Sequence, residues 1–115
     1  MRILGPSTHG ALDIVTVIVF AVAPTLIGFE GIAATLAYVL AAVHLVMSVV
    51  TEGLPISVSN LVPLPLHGMV EAVVGVTIGL IGWLAFDGAA QTFYLLMGIV
   101  ILLVFSVSRY DAATD

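Results

Sequence analysis

Four apolar stretches, each about as long as a bilayer is thick, dominate this 115-residue chain. They cover residues 8–28, 31–51, 66–85 and 89–108, and a helix needs about 20 mostly apolar residues to cross the hydrocarbon core of a membrane. A membrane-spanning sheet would instead have to close into a barrel with alternating faces, whereas these stretches are continuously apolar. The pattern therefore predicts an all-α, integral membrane four-helix bundle.

The charged residues are too few to cover a water-soluble surface. Only 8% of the chain is charged and 62% is hydrophobic, whereas soluble domains carry about 25% charged residues. With two Arg, no Lys and a net charge of −5, the chain lacks the clustered basic groups that nucleic acid requires. The absence of Cys excludes thiolate metal sites. We therefore expect the lipid bilayer as the partner, and no nucleic acid.

A short phrase occurs twice, once at the start of each half of the chain. His9-Gly10-Ala11-Leu12-Asp13 and His67-Gly68-Met69-Val70-Glu71 both read His-Gly-x-x-acid, and each opens an apolar stretch. After a gap of one residue, Phe29-Glu30-Gly31 aligns with Phe86-Asp87-Gly88. Such self-similarity predicts a tandem duplication of one helical hairpin.

The duplication divides a single transmembrane domain, 1–115, into two repeats. Repeat 1 covers about 8–52, repeat 2 covers about 66–110, and an apolar connector, 53–65, joins them. A connector of this composition is expected to lie in the headgroup region or to fold back against the bundle, unless it is a simple linker. Whether it acts as a gate is left open.

The two arginines predict the orientation of the chain. Arg2 precedes the first apolar stretch and Arg109 follows the fourth, so with four crossings both lie on the same side. The positive-inside rule places both termini in the cytoplasm. The short acidic turns that contain Glu30 and Asp87 would then face outside.

The third predicted helix carries a stripe of small residues at three- and four-residue steps. The stripe consists of Gly68, Ala72, Gly75, Gly79 and Gly82. Small residues allow membrane helices to approach closely. The stripe predicts tight packing within the chain, with a homo-oligomer seam on this helix as the alternative.

The ends of the first and third helices resemble a known motif. Ala23-Pro24-Thr25-Leu26-Ile27-Gly28-Phe29 and Ile81-Gly82-Trp83-Leu84-Ala85-Phe86, overlaid, resemble the Ser-Pro-Trp, Leu-Gly-Phe phrase of the SPW-repeat membrane proteins. Repeat 1 keeps Pro24 but lacks the Ser and Trp, whereas repeat 2 keeps Trp83 and has Gly82 in place of Pro. The resemblance implies a small, two-repeat, four-helix membrane protein, and it implies no catalytic residue.

Ionisable side chains form two equivalent pairs on the first and third helices. His9 and Asp13 are four residues apart and share a helix face, as do His67 and Glu71. Ionisable groups within a membrane usually face the bundle interior and have partners. We therefore expect both pairs to point inward at similar depth near the cytoplasmic side.

A third polar stripe lies on the second helix and is not duplicated. It contains His44, Ser48 and Thr51, and His44 aligns with Ile101 in repeat 2. We expect His44 to form a hydrogen bond with a neighbour such as Ser48 or Thr51, or with a backbone carbonyl.

Two functions place the duplicated pairs in one layer. In the first, hydrogen bonds between histidines and carboxylates hold the helices in register, which is a structural role. In the second, His9, Asp13, His67 and Glu71 bind a divalent metal, because two imidazoles and two carboxylates suit Zn, Fe or Mn.

Two further functions use fewer of these residues. His9 and His67 are candidate axial ligands of haem b, with Gly10 and Gly68 leaving room for the macrocycle. Alternatively, His44 relays ions or protons to the acidic residue of either pair. Neither a nucleophile motif nor a Gly-rich phosphate loop occurs, so an enzyme of a familiar class is not expected.

Overall fold

The computed structural model describes residues 2–110, and this part of the chain folds into four helices without strands. Helix α1 covers Pro6–Ile27, α2 covers Gly31–Val50, α3 covers Leu64–Ala85 and α4 covers Gly88–Val107. Each boundary lies within two residues of the predicted span. The prediction of four helices is confirmed.

Every helix is long and apolar enough to cross a membrane. The helices have 20 or 22 residues, which corresponds to about 30–33 Å at 1.5 Å per residue, and their mean hydropathy is between 1.8 and 2.2. Large apolar side chains cover the outside of the bundle: Leu26 is 78% exposed, Ile32 80% and Leu84 74%. Such a surface is suited to lipid rather than water.

The helix ends explain two differences from the predictions. Helix α3 begins at Leu64 rather than after Pro65, because proline is tolerated in the first turn, where its missing N–H would have no helical partner. Asp87 lies at the N-cap position of α4, but its side chain forms no capping hydrogen bond. Because Asp87 directly precedes the fourth apolar stretch, its side chain was expected to cap that helix, and this expectation is wrong. Helix α1 ends at Ile27, close to the predicted end at 28, and Gly28 follows it with a positive φ of 94° that suits glycine.

The small residues of α3 pack within the chain. Helix α1 packs along α2, and α3 packs along α4. A Cβ atom added at Gly98 would lie 2.8 Å from the carbonyl oxygen of Gly75 and 3.1 Å from the Cα of Gly79. One added at Gly82 would lie 2.7 Å from the Cβ of Tyr94. The glycines therefore bring the backbones of α3 and α4 into contact.

Aromatic side chains join the two hairpins in the half of the bundle near the short turns. Phe20 of α1 and Phe93 of α4 are fully or almost fully buried, and their rings meet edge to face at 5.6 Å. The Tyr94 hydroxyl donates a hydrogen bond of 2.6 Å to the Ala33 carbonyl of α2. This half of the interior is otherwise apolar, with Ala37 and Ile78 among its buried residues.

At the end of the bundle away from the short turns, backbone hydrogen bonds connect the starts of two helices with the ends of the other two. Leu4, just before α1, donates to the Val107 carbonyl and accepts from the Arg109 N–H at the end of α4. Val62, just before α3, donates in the same way to the Val50 carbonyl at the end of α2. The starts of α1 and α3 therefore lie beside the ends of α2 and α4.

The connector between α2 and α3 partly folds back against this end. Leu54 is only 5% exposed, and Pro55 lies beside Gly10. The tip of the connector points away, with Val58 82% and Leu61 77% exposed.

Candidate metal centre

The two His/acid pairs meet inside the bundle, close to the gathered helix ends. His9, Asp13, His67 and Glu71 are between 0% and 5% exposed. One ligand atom from each of the four lies within 4.8 Å of the others. The prediction that both pairs face the interior and lie close together is confirmed.

Each histidine contacts the acidic residues of both helices through Nε2. His9 Nε2 lies 3.2 Å from Asp13 Oδ1 on its own helix and 2.9 Å from Glu71 Oε1 on α3. His67 Nε2 lies 3.1 Å from Asp13 Oδ2 and also contacts Glu71 Oε1. Four contacts therefore connect the two imidazole nitrogens with the two carboxylates, two of them within a helix and two between α1 and α3.

The other ring nitrogen of His9 has a fixed partner at the end of α4. His9 Nδ1 lies 2.7 Å from the Ser108 hydroxyl oxygen. That hydroxyl donates its proton to the Val104 carbonyl at 2.6 Å, so toward the imidazole it acts as an acceptor. His9 therefore donates from Nδ1, which turns its Nε2 toward the two carboxylates.

His67 has the same arrangement at the end of α2. Its Nδ1 lies 2.8 Å from the Thr51 hydroxyl oxygen, which donates to the Met47 carbonyl. Thr51 is 0% exposed, so no solvent competes for the hydroxyl. A ligating histidine usually donates its second ring N–H to such an acceptor, which fixes the tautomer and the ring orientation.

His44 approaches the same group of side chains from α2, but its partner differs from the predicted one. Its Nε2 lies 3.4 Å from Asp13 Oδ1, whereas Ser48 and Thr51 were the expected neighbours. The side chain of His44 leans across to α1, and Ser48 Oγ is buried without a hydrogen-bond partner in the structure. Asp13 is thereby in contact with three histidines, and Glu71 with two.

Tyr110 and Pro55 cover the centre at the end of the bundle, and two glycines give them room. The rings of His9 and Tyr110 meet edge to face at 5.3 Å. A Cβ atom added at Gly68 would lie 2.8 Å from the Tyr110 ring, and one added at Gly10 would lie 2.4 Å from Pro55 Cδ. Burial raises the pKa of the Tyr110 phenol above its ordinary value.

Arg2 holds this cover in place. Its guanidinium donates hydrogen bonds to the carbonyls of Phe105 at 3.0 Å and Ser108 at 2.8 Å. The guanidinium also stacks over the rings of Phe105 and Tyr110, whose centroids lie 4.9 and 5.5 Å from Arg2 Cζ. Both carbonyls lie at the end of α4, where few backbone donors remain, although that of Phe105 also accepts from the Ser108 N–H.

The arrangement does not fit haem. Glu71 Oε1 contacts the Nε2 atoms of both His9 and His67, and these nitrogens lie within 4.8 Å of each other, too close to act as axial ligands on opposite faces of one porphyrin without displacing this carboxylate. Tyr110 and Pro55 already occupy the space beside Gly68 and Gly10. The proposed use of these glycines to admit a macrocycle is therefore wrong.

The same four residues fit a small divalent cation. Two nitrogen and two oxygen ligands are a common donor set for Zn and for first-row metals. In a tetrahedral zinc site neighbouring ligand atoms are about 3.3 Å apart. Three of the four nitrogen–oxygen contacts described above have separations close to this, 2.9–3.2 Å.

Sequence reasoning missed Ser108 and the cover, and it assigned Thr51 to His44 rather than to His67. Ser108 and Thr51 each follow the end of a helix, where a hydroxyl is unremarkable in a single sequence. The available signal was their position: in the register of the predicted duplication, Thr51 aligns with Ser108. No comparable signal marks Tyr110, because its contact with His9 depends on how α1 and α4 pack.

Comparisons with known proteins give no relative: no family model, no curated protein and no solved structure matches this chain. The resemblance to SPW-repeat proteins therefore depends on its short motif alone.

Proposed function

We propose that this chain is a four-pass integral membrane protein that binds one divalent transition-metal ion at His9, Asp13, His67 and Glu71. Lipid is the partner of the exposed apolar surface, on which Ile32 is 80% exposed. The centre lies about 5–10 Å inside the helix ends, given a rise of 1.5 Å per residue.

A duplication of one hairpin accounts for the paired ligands. When the two hairpins are aligned, His9 with His67, each of these contacts occurs twice: once from the first hairpin to the second, and once between the aligned residues from the second hairpin to the first. The matched pairs are His9 with Ser108, His67 with Thr51, Leu4 with Arg109 and Val62 with Glu52. Both repeats thus contribute one histidine, one carboxylate and one hydroxyl to a common centre.

The observation that carries the proposal is the direction of the two imidazole rings. Ser108 and Thr51 hold the two Nδ1 atoms, so both Nε2 atoms converge on the two carboxylates. A histidine that binds a metal through Nε2 has its Nδ1–H held by an acceptor in this way, and the four ligand atoms lie within 4.8 Å of one another.

Charge balance favours a divalent cation. Two carboxylates buried among apolar helices require about two positive charges, because uncompensated buried charge is costly. With metal bound, a divalent ion supplies these two positive charges and the imidazoles are neutral. Without metal, two protonated imidazoles supply them. Metal binding would therefore release about two protons, since ligands must be deprotonated.

Conduction across the membrane has less support. Between the centre and the short turns, the described interior consists of apolar side chains such as Phe20, Ala37 and Ile78. The only buried hydroxyl in that half of the described core, that of Tyr94, donates to a backbone carbonyl. A proton relay from Asp13 would therefore lack successive polar groups.

The test is metal binding by the purified protein. The protein in detergent is first stripped of metal with a chelator and then titrated with zinc. We expect it to bind one zinc ion per chain and to release protons at neutral pH. The variants Asp13→Asn and Glu71→Gln keep approximate shape but remove one ligand charge each, and should weaken zinc binding by about 10-fold or more. Glu30→Gln and Asp87→Asn, which change carboxylates at the opposite turns, are the matched controls.

The outcome that would overturn the proposal is equally specific. If the wild-type chain binds no more zinc than the Asp13→Asn/Glu71→Gln double variant, the four residues form a hydrogen-bonded layer with a structural role.

A further inference from the structure

A small cavity adjoins the candidate metal centre. It has a volume of about 20 Å³ and lies between α2 and α3. Its walls include His67 and Glu71, two of the proposed ligands, and His44. One water molecule needs roughly 10–15 Å³ measured in this way, together with polar partners, so the cavity has room for one water-sized molecule.

The rest of the cavity wall is apolar. Leu40, Val43, Met47, Val70 and Val74 complete it. A molecule in the cavity would therefore find its polar partners only among His44, His67 and Glu71. A polar molecule in the cavity would therefore lie next to the candidate metal centre.

His44 differs from the other two histidines in a way that suits such a molecule. Serine and threonine hydroxyls fix the Nδ1 atoms of His9 and His67, whereas His44 has one hydrogen bond among residues 2–110, a long one of 3.4 Å from Nε2 to Asp13. Its tautomer is therefore not fixed, and the ring can donate or accept as a ligand beside it requires.

The duplication makes His44 the asymmetric element of the centre. The residue aligned with it in repeat 2 is Ile101, which is buried and apolar. Structural zinc sites are closed by four protein ligands, whereas reactive sites accept an exchangeable ligand and can expand to five-coordinate. With four protein ligands at this centre, the exchangeable position would be the fifth, on the side of His44.

We infer that the metal bound at this centre keeps one exchangeable position, occupied by a water molecule or hydroxide in the cavity between α2 and α3 and hydrogen-bonded to His44. The inference rests on the proposed function, because the exchangeable ligand requires the metal. It extends that function from binding to reactivity toward small ligands.

The test uses copper(II) as a spectroscopic probe, because it binds nitrogen and oxygen ligands more tightly than other first-row divalent ions. Copper-loaded protein in detergent is transferred to D₂O, and electron spin-echo modulation is recorded. We expect modulation from one directly coordinated D₂O in the wild type. Val74→Phe, which fills the cavity, should abolish it, whereas Val100→Phe, which adds the same group on the exposed face of α4, should not.

Variants of His44 test its part. His44→Ile places the repeat 2 residue at this position and should reduce the coordinated D₂O signal, whereas His44→Gln retains a hydrogen-bonding group and should preserve it. The inference is overturned if copper binds at one ion per chain but wild type shows no coordinated D₂O, or if Val74→Phe and His44→Ile match wild type. If copper does not bind in the first place, the proposed function fails together with the inference.

Discussion

At the scale of single residues, two hydroxyls determine what the histidines can do. Ser108 and Thr51 each donate to a carbonyl of their own helix and accept from an imidazole of the other hairpin. A hydroxyl with its proton committed in this way is a directional acceptor. It therefore fixes the proton on Nδ1 and holds the ring with Nε2 facing the carboxylates.

Removing either hydroxyl should weaken metal binding without removing a ligand. We expect Thr51→Val and Ser108→Ala each to reduce zinc affinity by about 10- to 100-fold, the usual effect of losing such a partner, as measured by competition with a chromophoric chelator. Thr92→Val is the matched control, since Thr92 bonds only to the Gly88 carbonyl of its own helix. Equal affinity of Thr51→Val and Thr92→Val would show that the hydroxyl does not orient a ligand.

At the scale of the helices, the two hairpins solve the same packing problem with different residues. Helix α2 buries Ala33, Ala37 and Ala41, whereas α3 and α4 meet at glycines. Gly98 aligns with Ala41 in the register of the predicted duplication. The methyl group of Ala41 in one hairpin therefore corresponds to a backbone contact at Gly98 in the other. Without a hydrophobic drive between helices in lipid, such close contact supplies van der Waals attraction.

The glycine contact predicts a position-specific loss of stability. A methyl group at Gly98 would meet the backbone of α3 at 2.8 Å, whereas one at Gly79 would meet nothing within 4 Å. We expect Gly98→Ala to destabilise the fold by about 1–3 kcal/mol, the usual cost of overpacking, and Gly79→Ala to have little effect. Thermal unfolding in detergent, followed by circular dichroism, measures both. Equal melting temperatures would mean that α3 and α4 do not approach as closely as the structure has them.

At the scale of the whole molecule, the sequence predicted the elements better than the contacts between them. The four helices follow from apolar length, and the inward direction of His9, Asp13, His67 and Glu71 follows from the cost of charge in lipid. The partner of His44 was wrong, because a helical repeat identifies neighbours on the same helix and Asp13 lies on another. The cover by Tyr110 was not foreseen for the same reason.

The orientation of the whole molecule decides which compartment would supply a metal to the candidate centre. The starts of α1 and α3 and the ends of α2 and α4 share one end of the bundle with the centre, and Arg2 and Arg109 lie beyond it. Positive residues are retained in the cytoplasm, so we expect the centre near the cytoplasmic face. A green fluorescent protein fused after Asp115 should fluoresce, and alkaline phosphatase inserted between Asp87 and Gly88 should be active.

Because only two arginines set this bias, it should also be fragile. Arg2→Gln and Arg109→Gln together should give a mixed orientation, in which both reporters show partial activity, whereas Glu30→Gln should leave it unchanged, since acidic residues contribute little to orientation. If the phosphatase inserted after Asp87 is inactive and a phosphatase fused after Asp115 is active, the orientation is the reverse of the expected one. The centre would then lie near the external face, and the metal would have to come from outside the cytoplasm.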